Sequence, residues 1–360
     1  MGVCPSRHIV RCNREIMSTI TKRKAGSFSI FLGFAMVFYI IRQAGFGNIH
    51  QILTHLTPGY ILMALVIDQL IIGLGAVRWM NFINSANVKV KFRDIYLIHL
   101  IGLAVNNVTP VARLGGEPVK LYLLNKYTKI RKSIGSATII ASGFFDLGSF
   151  LLLNIIAILL LYFNLQLPLD FAYPLLFFVV VFSTLFLSLV HISIKENESL
   201  FITHWLISRL KKIKLLHEGL EKWRERIDEG VKRYVTTVRM SLGSTLLLNL
   251  FITVTVRVLE VLRVYMIVLA VNEYIDIMWI IVALAFLIAA GLIPSPPGGF
   301  GVVEPTMTAV FLLGGLALSS AITIVLIDRL LTIGVTSLMG FGCVHFLGVQ
   351  SEITKYQVGQ

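Results

Sequence analysis

Charge is scarce in this chain. Only 14% of its 360 residues are Asp, Glu, Lys or Arg, against 56% hydrophobic. A soluble domain carries roughly 25% charged residues, so a soluble globular protein is disfavoured from the outset. Cysteine is scarcer still. Cys4, Cys12 and Cys343 form no C-x-x-C and have no histidine at ligand spacing, which supports neither a disulfide framework nor a zinc site. H-E-x-x-H, G-x-S-x-G, a Walker A loop and a strand-borne G-x-G-x-x-G are all missing. No catalytic template is met, no cofactor is expected, and an enzyme is not the first reading. The first 27 residues are basic and polar and lack the apolar core of a signal peptide.

What the chain does have is apolar length, with a mean hydropathy of +0.82. Runs suited to roughly 30 Å of hydrocarbon lie at 28–41, 60–77, 134–163, 171–194, 246–271 and 317–347. Two further stretches are interrupted. One, 95–108, meets Thr109-Pro110 and resumes at 115–124; the other, 277–293, meets Pro294-Ser295-Pro296-Pro297-Gly298-Gly299 and resumes at 300–313. Each arm falls short of the roughly 20 residues a span needs, so both read as re-entrant helical hairpins lining protein or a wet cavity. Pro110, Gly115 and Gly116 shape the first turn; Pro294, Pro296, Pro297, Gly298, Gly299 and Gly301 shape the second.

The expected fold is an all-α polytopic membrane protein of about six spanning helices plus two re-entrant hairpins. Its expected divisions are a basic N-terminus (1–27), a first membrane repeat (28–163), a connecting span (164–194), an amphipathic linker (195–243), a second repeat (244–348) and a tail (349–360). The net charge of +13 fits this path. With both termini cytoplasmic, 26 of the 32 Lys and Arg lie inside, only Arg42 lies outside, and five lie within hydrophobic elements. The basicity therefore points to topology in a cell membrane, and no nucleic-acid partner is expected.

The hairpins also match in detail. Each places Glu-Pro (Glu117-Pro118 and Glu304-Pro305) with its glutamate seven residues after a turn proline. Each is flanked by spans, and the following span carries an aspartate, Asp146 or Asp328. An odd number of spans between the copies makes the repeat inverted, an architecture common among secondary transporters, with the site at the midplane.

Eleven ionisable residues sit in hydrophobic elements: Arg113, Lys120, Arg257, Arg263, Arg329, Asp68, Glu117, Asp146, Glu260, Glu304 and Asp328. Unpaired they would cost on the order of 30 kcal/mol, so they must face one another, water or a ligand. Arg257, Glu260 and Arg263 have the spacing of a local Arg–Glu–Arg ladder. Arg113, Glu117 and Lys120 follow the first turn, with Asn106 and Asn107 either lining the same tip or capping broken backbone. Arginine suits bidentate phosphate contacts. The expected substrate-binding set is Arg113, Glu117, Lys120, Asn106, Asn107, Arg257, Glu260, Arg263 and Glu304; Asp146, Asp328 and Arg329 are candidates for a proton relay or an ion pair.

Gly115-Gly116-Glu117-Pro118, the run Ile293-Pro294-Ser295-Pro296-Pro297-Gly298-Gly299-Phe300-Gly301-Val302-Val303-Glu304, and Arg78-Trp79 resemble one family's signatures. It is the lysylphosphatidylglycerol synthase transmembrane-region family, also called flippase-like or UPF0104 proteins, and the resemblance covers roughly 28–348. The family includes the membrane half of enzymes that aminoacylate phosphatidylglycerol and flip the product, and membrane halves fused to glycosyltransferases acting on dolichyl phosphate. No such partner domain is seen after 348 or before 28, so the resemblance implies the transport half. Members often carry an arginine three residues before the acidic residue that follows the first hairpin; Gly143 stands there, leaving Asp146 without that local partner.

The expected function is movement of an anionic lipid headgroup, of a phospholipid or a polyprenyl phosphate, between leaflets through a midplane cavity, with membrane lipids as the partners. A membrane-embedded lipid transferase and a coupled transporter of a small soluble anion are the alternatives.

Overall fold

The computed structural model describes residues 42, 45–109, 115–163, 173–210, 224–291 and 297–344. The expected span at 28–41, Pro110, Arg113, Pro294 and Pro296 lie outside the described residues. Those described form helices and short connections. In chain order the helices are α1 (Phe46–Thr54), α2 (Pro58–Ser85), α3 (Phe92–Val108), α4 (Gly116–Thr128), α5 (Lys132–Phe163) and α6 (Tyr173–Ile194). Then come α7 (Glu196–Leu210), α8 (Arg224–Ser244), α9 (Leu246–Ala270), α10 (Ile277–Gly291), α11 (Val303–Leu313) and α12 (Leu318–Arg329). A π-helical segment, Leu330–Val335, carries α12 onward, so one helical stretch runs to Val344.

By length and apolarity, α2, α5 and the 27-residue Leu318–Val344 stretch suffice to cross a membrane. A fourth candidate is the α6–α7 pair, bent by 103°. The 25-residue α9 is long enough but carries Arg257, Glu260 and Arg263. Its outer stripe of Leu247, Phe251, Val254, Val258 and Leu262 is exposed at helical spacing, as is Leu62, Met63, Val66 and Leu70 on α2. Such stripes are an aggregation hazard in water and the natural lipid contact in a bilayer.

Sequence sets where helices begin and stop. Pro58 opens α2 at a position where its missing N–H is not needed. Asn87, Lys129 and Asn272 adopt left-handed φ of 59° just past α2, α4 and α9, turning the chain out of each helix. α2 extends to Ser85, beyond the expected 77, because 78–85 continues to bury Arg78, Trp79, Phe82 and Ile83.

The most extensive packing is between α2 and α9. Thr57 N–H donates to the Ala270 carbonyl (3.0 Å), Asp68 pairs with Arg263, Arg78 with Thr253, and Asn81 with Asn249. Numbers rise along α2 as they fall along α9, so the pair is antiparallel. α3 packs on α4, and α10 on α11. The contact between α3 and α4 is close because a methyl on Gly116 would overlap the Gly102 carbonyl. The turn after α10 needs glycine for another reason: Gly298, Gly299 and Gly301 all have φ between 70° and 82°.

The linker helix α8 packs on α5, α6 and α7, with Val235 and Val238 buried. It is therefore docked on the bundle as well as amphipathic. A cavity of about 360 Å³ lies beneath it, lined in part by Ser136, Ser193, Thr203 and Tyr234. Burial pushes the Tyr234 phenol above its ordinary pKa, with its hydrogen bond to Ser193 (2.9 Å) acting in the opposite direction.

Candidate functional site

A seam of charged and polar side chains follows the α2–α9 contact. Ten residues separate Asp68 from Arg78 on α2, about 15 Å of helix. At one end Arg263 is buried between two aspartates: Nη1 donates to Asp68 (2.7 Å) and Nη2 lies 3.0 Å from Asp328 of α12. Beside it, Arg329 Nε lies 3.6 Å from Glu304 Oε1, and both residues are buried. Glu304 turns its other oxygen to the Gly301 N–H (2.7 Å), so one carboxylate holds the turn and faces an arginine.

The second level lies one to two turns further along α9. Arg257 Nη1 donates to Glu260 (2.6 Å) and Nε to Ser149 (3.0 Å). Of the ladder that the α9 spacing allows, only this rung forms; Arg263 turns to the neighbouring helices instead. Asp146 on α5 accepts from Arg78 Nη2 and lies 4.0 Å from Arg257. Arg78 Nη1 also reaches Thr253 Oγ1 (3.0 Å). Counted above among the inner-side charges, Arg78 is buried in the bundle. It supplies across helices the partner that Gly143 cannot.

Exposure differs sharply along the seam. The Asp68, Arg263 and Asp328 side chains are at most 8% exposed, whereas Arg257 is 19% and Asp146 53% exposed. Gly143, one turn before Asp146, is exposed with open space around it. A carboxylate near the centre of a 32-residue apolar helix is therefore accessible beside an arginine.

Glu117, Lys120, Asn106 and Asn107 make their hydrogen bonds outside this seam. Lys120 Nζ bonds Glu117 (2.9 Å) and lies 6.0 Å from the Trp79 ring centre, buried instead of snorkelling outward. Asn106 Oδ1 accepts the Gly116 N–H (2.6 Å), capping α4 from α3. Asn107 Nδ2 donates to the Thr332 carbonyl (3.4 Å) within the π-helical segment and to Ser337 Oγ (3.3 Å). A Cβ on Gly298 would stand 3.3 Å from the Asn107 carbonyl, so the end of α3 and the turn after α10 meet. Asp68, Arg78, Ser149 and Thr253 join the seam although sequence reasoning assigned none of them to a site. The isolation of Asp68 as the lone charge in the apolar stretch 60–77 was the signal that it pairs across helices.

Among the described residues no group of three or more His, Cys, Asp or Glu is arranged to hold a metal ion. The lysylphosphatidylglycerol synthase TM-region model matches residues 26–340. The chain belongs to that family. Similar curated proteins are named UPF0104 membrane proteins. One from Methanothermobacter thermautotrophicus is 30% identical over 330 residues, covering 90% of this chain and 96% of the relative. One from Methanocaldococcus jannaschii is 22% identical, covering 91% and 95%. One from Pyrococcus horikoshii is 26% identical, covering 86% and 94%. As a member of the lysylphosphatidylglycerol synthase transmembrane-region family, the chain is a membrane protein, and the seam lies within the matched region. Arg78-Trp79 of the family resemblance ties α2 to α5, through Arg78–Asp146 and through Trp79 Nε1, which donates to Thr138 Oγ1 (3.3 Å).

Proposed function

We propose that this protein moves an anionic lipid headgroup, of a phospholipid or a polyprenyl phosphate, between leaflets of the cell membrane. The headgroup follows the α2–α9 seam while its tails stay in lipid. The observation that carries this reading is Asp146, a carboxylate accessible at mid-helix between the buried Arg78 and the largely buried Arg257. A phosphate arriving there takes the place of Asp146 as the arginines' partner, so the guanidinium groups keep an anion throughout and the exposed Asp146 carboxylate is released to the open side. Arg263, enclosed by two aspartates, holds the helices together instead of meeting substrate.

The architecture behind this reading is an inverted repeat of α2–α5 and α9–α12, with the helix pairs α3–α4 and α10–α11 as re-entrant hairpins and both termini cytoplasmic. It is supported by a matched ion pair: Arg78 to Asp146, 68 residues apart, and Arg263 to Asp328, 65 residues apart. Each joins the first long helix of a repeat to its last. The antiparallel α2–α9 contact is where inverted copies would meet. Transport, not catalysis, is proposed, because these charges contact one another across helices and no catalytic template accompanies them in the sequence.

The test is leaflet exchange of fluorescent phosphatidylglycerol in proteoliposomes. Wild type should exchange lipid well above protein-free vesicles, and Arg257→Gln should slow it roughly tenfold or more, the worth of a charge-assisted contact. Exchange by Arg257→Gln at the wild-type rate would sink the site assignment. Arg113→Ala tests the first-hairpin tip in the same assay.

A further inference from the structure

Among the described residues, the buried end of the seam does not balance its charge. Asp68, Asp328 and Glu304 bring three carboxyl groups; Arg263 and Arg329 bring two guanidinium groups. All five residues are at least nine-tenths buried. Asp68 Oδ2, Asp328 Oδ2 and Glu304 Oε1 have no hydrogen-bond partner among the described residues, and neither do Arg329 Nε and Nη2. A net buried charge with unsatisfied oxygens costs several kcal/mol, and the usual remedy is to neutralise one group.

We propose that this cluster is a proton-binding site, in which Asp68 holds one exchangeable proton. The three carboxylates are not held equally. Asp328 Oδ1 has two guanidinium contacts from Arg263, at 3.2 and 3.0 Å. Glu304 has the Gly301 N–H and faces Arg329. Among the described residues Asp68 has a single donor, Arg263 Nη1. Asp68 therefore gains least as a carboxylate. The charged and titratable groups acting on it are Arg263 and Glu260 from α9, Asp328 from α12 and the Tyr96 phenol from α3. Glu260 is neutralised by Arg257, which leaves the balance of the cluster unchanged. A metal ion is the less fitting ligand, since no three acidic or metal-binding side chains among the described residues are arranged to hold one.

Protonation has a structural consequence. Neutral Asp68 is compatible with the buried α2–α9–α12 contact. Releasing its proton to water leaves a carboxylate that needs hydration, so release goes with separation of these helices. Resting on the transport reading above, this makes opening of the seam a proton-coupled step, with one proton carried per opening.

Infrared spectroscopy of the purified chain in detergent tests the site. At neutral pH the wild type should show a protonated-carboxyl C=O stretch that shifts on H/D exchange. Asp68→Asn should lose it, and Asp146→Asn should keep it. A band that survives in Asp68→Asn, or a wild type without one, overturns the proposal. If Asp68→Asn does not fold, the wild type decides alone: a band corresponding to one carboxyl per chain, lost reversibly on alkaline titration, supports the site, and its absence overturns it. A band that depends on Asp68, together with lipid exchange indifferent to a pH gradient, keeps the proton site and overturns its coupling to transport. Failure of lipid exchange altogether leaves the infrared result unaffected.

Discussion

Replacing Arg263 with glutamine probes the buried end of the seam most sharply. The wild-type side chain separates Asp68 from Asp328, with three nitrogen–oxygen contacts between 2.7 and 3.2 Å. Glutamine keeps most of the length and removes the charge, leaving Asp68, Asp328 and Glu304 with Arg329 alone. Stranding buried carboxylates in this way costs about 3–5 kcal/mol. Asp68→Asn is the informative comparison. It matches the charge and shape of a protonated Asp68 while Arg263 keeps both contacts to Asp328, so its loss should be about 1 kcal/mol, a single hydrogen bond. Thermal unfolding in detergent, followed by tryptophan fluorescence and size-exclusion profile, measures both. The account requires Arg263→Gln to melt far below Asp68→Asn. Equal losses, or a greater loss for Asp68→Asn, would refute the charge arithmetic.

Other consequences are equally concrete. Gly116→Ala should destabilise by about 1–3 kcal/mol through overlap with the Gly102 carbonyl; Gly143→Ala, with open space around it, should leave the melting temperature unchanged. Gly299→Ala should cost about 1–2 kcal/mol for a side chain at φ 79°, read by the same melting assay. Arg78→Lys should lower both stability and lipid exchange, because an ammonium cannot span Thr253 and Asp146 as the guanidinium fork does. Nitroxide labels at Leu247 and Phe251 in liposomes should be open to oxygen and closed to a water-soluble relaxant; the reverse would remove α9 from the lipid boundary.

Much of this architecture is readable from apolar length. Long apolar runs locate α2, α5, α9 and α12, and the Pro/Gly interruptions fall where α3 ends at Val108 and α10 at Gly291. Glu304 could be singled out from its place in a matched Glu-Pro pair, although not its bond to the Gly301 N–H. Ion-pair partners were the illegible part. Spacing along α9 suggests a ladder within one helix, yet Arg263 finds better partners on α2 and α12. Which residues face across an interface depends on helix rotation and register, which linear spacing does not encode. For the same reason Arg78 reads as an interfacial charge until α2 is seen to continue past it. The π-helical segment after Arg329 has no clear sequence signal; its Thr332 carbonyl is taken up by Asn107 from the other half of the chain.

The central claim is that headgroups pass beside Asp146. The most direct measurement uses a chain in which serine replaces Cys4, Cys12 and Cys343, with Gly143→Cys introduced one turn from Asp146. Labelling that thiol with a bulky maleimide in proteoliposomes should abolish exchange of fluorescent phosphatidylglycerol. The same label on Leu247→Cys, on the outer stripe of α9, should leave exchange intact. Unchanged exchange after complete labelling at position 143 would contradict the account.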